Sequence, residues 1–201
     1  MGRKDHKLAL TYVHGTNGSG KSTLARYLIM CAGGVARTER HPKTNAWVTY
    51  THGRLALVGK YTTATGGADG VQPYSLVPKT ALALLRAGWP VLIEGLMSPG
   101  VETCRKLHED AVKLGTYVKF IRLEIGFFQS CENVKRRRML VGNTKPFDPI
   151  NVRKKQQSCD GWLTNLGAAH LPIWGLNWEQ TRDYCLSTYR LNTDGAIRIL
   201  D

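Results

Sequence analysis

An α/β fold, three layers deep around a mostly parallel sheet, is predicted by two features of the chain. Short apolar segments alternate with longer segments of helical period, the arrangement that places crossover helices between parallel strands. The run Gly15-Thr16-Asn17-Gly18-Ser19-Gly20-Lys21-Ser22 stands between the first such strand and the first such helix. At 201 residues and 42% hydrophobic content, residues 1–201 suit a single domain with a sizeable core.

The elements follow in order. Residues 8–14 (LALTYVH) read as a short buried strand, and residues 22–31 place Leu24, Leu28 and Cys31 on one helical face. Residues 37–41 are polar and run into Pro42, which predicts a loop. Residues 47–51 and 54–60 are strand-like, separated by the turn signal His52-Gly53. Residues 61–74 are too rich in glycine for a regular element. Residues 75–88 carry leucines at 76, 82, 84 and 85 and end at Gly88, a helix cap. Residues 90–95 form a buried strand that ends in a carboxylate. A helix (100–114), a strand (117–125) and two helices (127–140 and 151–166) follow, then a short strand (171–174) and a last helix (178–189). Ligands of such a sheet gather outside the carboxyl ends of its strands.

Residues 15–22 fit Gly-x-x-x-x-Gly-Lys-[Ser/Thr]. A strand, a glycine-rich turn and a helix N-terminus together make a phosphate cradle, because amide groups point inward and the helix dipole favours negative charge. Gly15, Thr16, Asn17, Gly18, Ser19, Gly20, Lys21, Ser22 and Thr23 are the expected nucleotide contacts. Lys21 reaches the β and γ phosphates, and the Ser22 hydroxyl holds Mg²⁺. The plainer alternative is a glycine turn capping an ordinary helix; the strand–turn–helix context argues against it. A nucleoside triphosphate site is implied, with ATP and GTP both open.

Lys and Arg number 28 against 15 Asp and Glu, a net charge of +13. A polyanionic substrate gains from that charge through steering and counterion release; a merely soluble basic protein is the alternative. The five cysteines form no metal-ligand spacing, and their odd count fits reduced thiols in a cytoplasmic protein. No apolar run approaches the roughly 18 residues that span a bilayer. No signal peptide and no pattern for a protein partner is evident.

Phosphoryl transfer needs a carboxylate to organise metal and a group to orient or deprotonate the acceptor. Glu94 follows Val91, Leu92 and Ile93 and precedes a glycine, so it emerges at the carboxyl edge of the sheet, placed for Mg²⁺ or acceptor. Capping of the next helix is the alternative. Asp69, within Gly66-Gly67-Ala68-Asp69-Gly70, can approach a ligand with little hindrance and is the candidate base; an Asp-Gly turn is the alternative. Either acid remains open as the base. Residues 133–155 hold Lys135, Arg136, Arg137, Arg138, Lys145, Arg153, Lys154 and Lys155 against one acid, Asp148. Kinases of this layout carry a mobile lid there, whose arginines stabilise the transferred phosphoryl group. Arg136 to Arg138 span about 200° of helix, so they cannot all face one phosphate. Trp162, Trp174, Trp178 and Tyr184, at helical spacing, fit core better than a base-stacking surface.

Four segments together carry a resemblance: the phosphate loop; Val58-Gly59-Lys60-Tyr61 running into Gly66-Gly67-Ala68-Asp69-Gly70; Val91-Leu92-Ile93-Glu94-Gly95; and Arg136-Arg137-Arg138 followed by residues 142–148 (GNTKPFD). Over residues 8–189 the chain resembles the P-loop kinases of bacteriophages that act on 5-hydroxymethyluridine in DNA. The resemblance implies a three-layer P-loop NTPase/kinase fold with a helical basic lid at about residues 133–155. It implies transfer of the ATP γ-phosphate to the 5-hydroxymethyl group within phage DNA, a step toward hypermodified thymidine, in the host cytoplasm. Carried onto this sequence, Lys21 and Ser22 serve ATP and Mg²⁺, and Asp69 activates the hydroxymethyl oxygen. Glu94 supports metal or acceptor, Arg136, Arg137 and Arg138 clamp the phosphoryl group, and Lys60, Tyr61, Gly66, Gly67, Asp69, Lys145 and Arg153 face the DNA. Two other readings stay open: a kinase of a nucleotide, nucleoside or small metabolite, and a DNA-binding NTPase.

Overall fold

The computed structural model describes residues 8–53, 55–61, 67–95 and 99–193. Its centre is β1 (Ala9–His14), buried at every position. β5 (Val91–Gly95) and β6 (Tyr117–Leu123) flank β1 in parallel. With β2 (Val35–Arg40), β3 (Trp47–Thr51), β4 (Ala56–Val58) and β7 (Ile173–Leu176), the sheet has the order β2-β3-β4-β5-β1-β6-β7. The five strands from β4 to β7 run parallel, and β2–β3–β4 is an antiparallel meander at one edge.

Alternation of side chains along the central strands creates the two outer layers. Leu10, Tyr12, Val91, Ile93 and Phe120 face one side. There they meet α2 (Leu76–Arg86), α3 (Val101–Lys113) and α5 (Pro149–Ala168) through Leu84, Leu107 and Leu166. Val13, Leu57, Leu92 and Leu123 face the other side, against α1 (Lys21–Cys31) and α6 (Trp178–Tyr189) through Leu24, Leu28 and Cys185. α4 (Phe127–Leu140) leaves the end of β6 and pairs with α5. All five cysteines are free and buried. No helix among the described residues is long and apolar enough to cross a membrane.

One expectation fails. Residues 37–41 do not form a loop: Val35–Arg40 is a strand paired with β3. An edge strand needs no apolar alternation, because most of it stays in water and charges guard its free edge. Five of its six residues are exposed, and the Arg37 and Arg40 guanidiniums lie 4.2 Å over Tyr50 and 4.4 Å over Trp47 of β3. Elsewhere boundaries shift by a few residues. The last strand falls at Ile173–Leu176, and α5 begins at Pro149 because the Asp148 carboxylate accepts from the Ile150 amide. The register sets His14 of β1 against Gly95 of β5, and Val58 of β4 against Ile93. Three strand ends therefore open onto one edge.

Candidate active site

The loop that leaves β1 turns through two left-handed glycines, Gly18 at φ +77° and Gly20 at φ +90°. A Cβ on Gly18 would stand 2.5 Å from the Ser130 carbonyl oxygen, and one on Gly20 would stand 2.9 Å from Cδ1 of Trp178. Neither site tolerates a side chain, in conformation or in space. Three helices clasp the loop. Ser130 Oγ of α4 donates to the Asn17 carbonyl (2.5 Å) and Asn133 Nδ2 to the Gly18 carbonyl (2.8 Å). Thr16 Oγ1 donates to the Val152 carbonyl of α5 (3.5 Å), and Trp178 of α6 closes on Gly20.

Lys21 is buried, and its Nζ donates to the carbonyls of Gly15 (2.8 Å) and Thr16 (3.0 Å). Burial lowers its pKa, and the negative charges of Glu94 and Asp69 oppose that shift. The buried Ser19 hydroxyl has no hydrogen-bond partner. α1 starts without a side-chain cap and without an acid in its first turn, so its first amides are available to an anion. These features fit a phosphate chain: left-handed glycines, uncapped amides, a buried ammonium and an unpaired hydroxyl.

Beside this loop lies an acidic pair. Ser22 Oγ donates to Glu94 Oε1 at 3.2 Å, a hydroxyl and a carboxylate fit to share a divalent cation. Glu94 is only 2% exposed. Burial pushes its pKa up to about 7, against the pull of Lys21 and with the help of Asp69. Gly67, at φ +106°, lets the backbone lie against the Glu94 carboxylate, where any side chain would collide. Asp69, exposed in the 3-10 turn Ala68–Gly70, reaches back to the end of β5. A Cβ on Gly95 would be 2.8 Å from Asp69 Oδ1 and 3.5 Å from the Tyr74 hydroxyl. One acid thus faces solvent and one is buried, both within electrostatic reach of Lys21. Such a pair can divide proton transfer and cation holding between its members.

Around this core stand residues that sequence reasoning passed over. His14 Nδ1 lies 3.1 Å from the Gly95 carbonyl and its ring 4.6 Å from that of Trp162. Burial pushes its pKa down to about 4, so it is a neutral tie between two strand ends. The Tyr74 hydroxyl pairs with that of Tyr12. Position was the one available signal: His14 directly precedes the glycine motif, whereas Tyr74, Ser130 and Asn133 carry none.

On α4, Arg137 and Arg138 line a cavity of about 310 Å³ with Asn17, Phe147 and Val152. The charge of Arg137 reaches Lys21, and Arg138 Nη1 donates to the Pro146 carbonyl at 3.0 Å. Arg136 is exposed and outside that lining. The structure therefore gathers Lys21, Ser22, Gly67, Asp69 and Glu94, with Arg137 in the cavity beside Asn17 of the loop. Tyr61 joins them: its hydroxyl is buried near Glu94 and makes no hydrogen bond of normal geometry. Lys60, Lys145 and Arg153 are exposed, Lys60 5.0 Å over Trp47 and Arg153 4.3 Å over Phe127; Thr23 is exposed on α1. Gly66 lies outside the described residues. Of the aromatic cluster, Trp162 is core against Tyr12 and Phe120, and Tyr184 and Trp178 pack at the edge of the α1–α6 core. Trp174 is 43% exposed, over the Lys119 ammonium.

No family model matches the chain. It is 29% identical over 167 residues to a protein named 5-hmdU DNA kinase of Pseudomonas phage PaMx11, across 80% of this chain and 86% of the relative. It is 27% identical over 159 residues to a 5-hmdU DNA kinase of Delftia phage PhiW-14; the match covers 73% of this chain and 59% of that longer relative. A gluconokinase from Sinorhizobium meliloti 1021 aligns over 96% of this chain and 94% of its own, at 15% identity and a TM-score of 0.43. With its glycine-rich phosphate loop at the head of a mostly parallel sheet, the chain has an α/β fold and is similar in sequence to two phage proteins named 5-hmdU DNA kinase.

Proposed function

We propose that this chain transfers the γ-phosphate of ATP to the 5-hydroxymethyl group of 5-hydroxymethyluridine in DNA, a step toward a hypermodified thymidine. The observation that carries the reading is the convergence of Lys21, Ser22, Glu94 and Asp69 at one sheet edge, next to a lid strongly enriched in cations. The names of the two phage relatives supply the acceptor.

The loop amides and Lys21 hold the triphosphate, and Ser22 with Glu94 would hold Mg²⁺, which would supply neutralisation of the phosphate charge. Asp69, the exposed member of the acidic pair, accepts the proton of the incoming hydroxymethyl group. Tyr74 and the backbone at Gly67 fix where Asp69 and Glu94 stand. Arg137, whose charge reaches Lys21, steadies the phosphoryl group in flight. Residues 1–201 act as one kinase unit, with residues 133–155 as its lid. Lys60, Lys145 and Arg153 lie outside the cluster and serve the DNA backbone, where charge matters more than geometry.

Labelled ATP offered with 5-hydroxymethyluridine-containing DNA, and in parallel with the free nucleoside and its monophosphate, tests the reading. Label in the modified base of the polymer is expected. Label confined to the monomers would show a metabolite kinase instead, and phosphate release without a labelled acceptor would show an NTPase.

A further inference from the structure

We infer that the joint between α4 and α5 is an apolar wedge that enters the base stack of duplex DNA and opens it at the nucleotide to be modified. Met139, Leu140, Val141 and Ile150 cluster in sequence around this joint and are 73%, 79%, 63% and 60% exposed. The lid has a small core of its own, Cys131, Val134 and Val152 with Phe127 and Phe147, and none of the four belongs to it. Aliphatic side chains left this bare on a helix end are costly in water unless a partner covers them.

The charges around them identify that partner. Arg136, Arg138, Lys145 and Arg153 flank the joint, and the single nearby acid, Asp148, is turned onto its own helix through the Ile150 amide and the Asn151 side chain. Apolar side chains bordered by cations match the base stack of a duplex, which is apolar between base steps and lined by phosphates. A protein partner of the usual kind would not call for so one-sided a charge. The inference rests on DNA being the acceptor and adds how the duplex yields it.

The full-length protein and its Met139→Ser/Leu140→Ser variant are assayed on the same modified sequence as a single strand and as a duplex, with 2-aminopurine beside the target base. Wild type is expected to label both and to raise 2-aminopurine fluorescence on binding the duplex. The variant should lose about tenfold or more in kcat/KM on the duplex and the fluorescence rise, yet stay within about twofold on the single strand. Leu140→Met alone, with Met139 intact, should keep the duplex activity of the wild type. Equal loss on both substrates, or no loss on either, overturns the wedge. So does a sedimentation mass that halves in the variant, which would mark the joint as a contact between copies. Wild type labelling only the single strand also overturns the wedge but leaves the DNA-kinase reading intact. Wild type labelling neither polymer removes that reading itself.

Discussion

Between Gly15 and Ser22 the chain offers main-chain atoms to the space in front of β1, whereas between Lys135 and Lys155 it offers side chains. In the first stretch, position is set by φ angles of +77° and +90° and by a Ser130 carbonyl that leaves no room for a Cβ at Gly18. In the second, Lys135, Arg136 and Arg137 are exposed on α4, and the helices share a small core of Cys131, Val134 and Val152 with Phe127 and Phe147. The two stretches meet where the Thr16 hydroxyl donates to the Val152 carbonyl, and just before the second stretch Ser130 and Asn133 bond the carbonyls of Asn17 and Gly18. The contrast follows from what each would do in the proposed reaction. A transferred phosphoryl group rewards fixed donors, since dipoles already in place need not reorganise during reaction. Holding a polyanion rewards charge count, and tolerates several geometries. Substitutions should therefore hurt steeply in the loop and its acids, and gently in most of the lid.

The steepest loss is expected at Lys21. Lys21→Met keeps the shape of the buried stem and removes the ammonium that bridges the Gly15 and Thr16 carbonyls. Transfer, followed with labelled ATP, should fall on the order of a thousandfold. The melting temperature should move by no more than about 5 °C, because a desolvated cation contributes little net stability. Lys154→Met, an exposed lid change of the same chemistry, should leave kcat within about twofold. Comparable losses at the two lysines would break the comparison. Asp69→Asn comes next. It should lower kcat several hundredfold, in the range of a lost proton acceptor, with nucleotide affinity by calorimetry unchanged. If nucleotide affinity collapsed along with kcat, Asp69 would belong to the loop rather than to the acceptor.

How much of this was legible in the sequence tracks the same divide. The phosphate loop could be read at once, because left-handed turns at the head of a helix demand glycine and leave a spaced signature. Glu94 could be placed at the sheet edge because Val91, Leu92 and Ile93 before it are buried on both faces, a run that only a central strand explains. β2 was missed because an edge strand carries charge where a central one carries apolar side chains. The meeting of Asp69, Tyr74 and Gly95 was invisible because it depends on how residues 67–71 fold back across the end of β5, and no local period encodes that. The clasp of Ser130 and Asn133 on the loop joins residues more than 110 apart in the chain, and small polar residues within a helix carry no mark of it. The three consecutive arginines could be counted but not sorted; only the packed structure separates Arg137, which lines the cavity beside Asn17, from Arg136, which does not.

That separation sets the third prediction. Arg137→Ala should reduce kcat about a hundredfold, as expected for one lost contact to the moving phosphoryl group, whereas Arg136→Ala should cost about twofold or less. Reversal of the two would mean that the lid turns on its axis when substrate binds, and that loop and lid are less independent than their few contacts suggest.

Salt gives a smaller and more graded effect. If the lid counts charges, the slope of log affinity for DNA against log salt should shrink by about 0.7 to 0.9 for each phosphate contact removed. Lys145→Gln and Arg153→Gln, both exposed, should each change the slope by about that amount and lower affinity at physiological salt only a few-fold. Fluorescence anisotropy between 50 mM and 200 mM salt reads both quantities. A slope unmoved by either change would assign DNA holding to another face, with the β2–β3 meander and its Arg37 and Arg40 as the next region to test.

The smallest expected signal is a single proton. In the metal-free protein Glu94 has its pKa raised to about 7 by burial, so at pH 6 most molecules carry the proton on that carboxyl. A divalent cation beside Ser22 binds the carboxylate and not the acid, so binding Mg²⁺ with nucleotide at pH 6 must expel it. About 0.9 proton is expected at pH 6 and almost none at pH 8.5, where the group is already ionised. Calorimetry in two buffers of different ionisation enthalpy measures this directly, after subtraction of the protons that the nucleotide itself releases. Glu94→Gln should abolish the protein's share at pH 6, whereas Arg136→Ala and Lys145→Gln should leave it unchanged. A full proton still released by the Glu94→Gln variant would move the cation to another acid, Asp69 being the nearest. The buried carboxylate would then serve to hold Ser22 and Tyr61 in place rather than to bind metal.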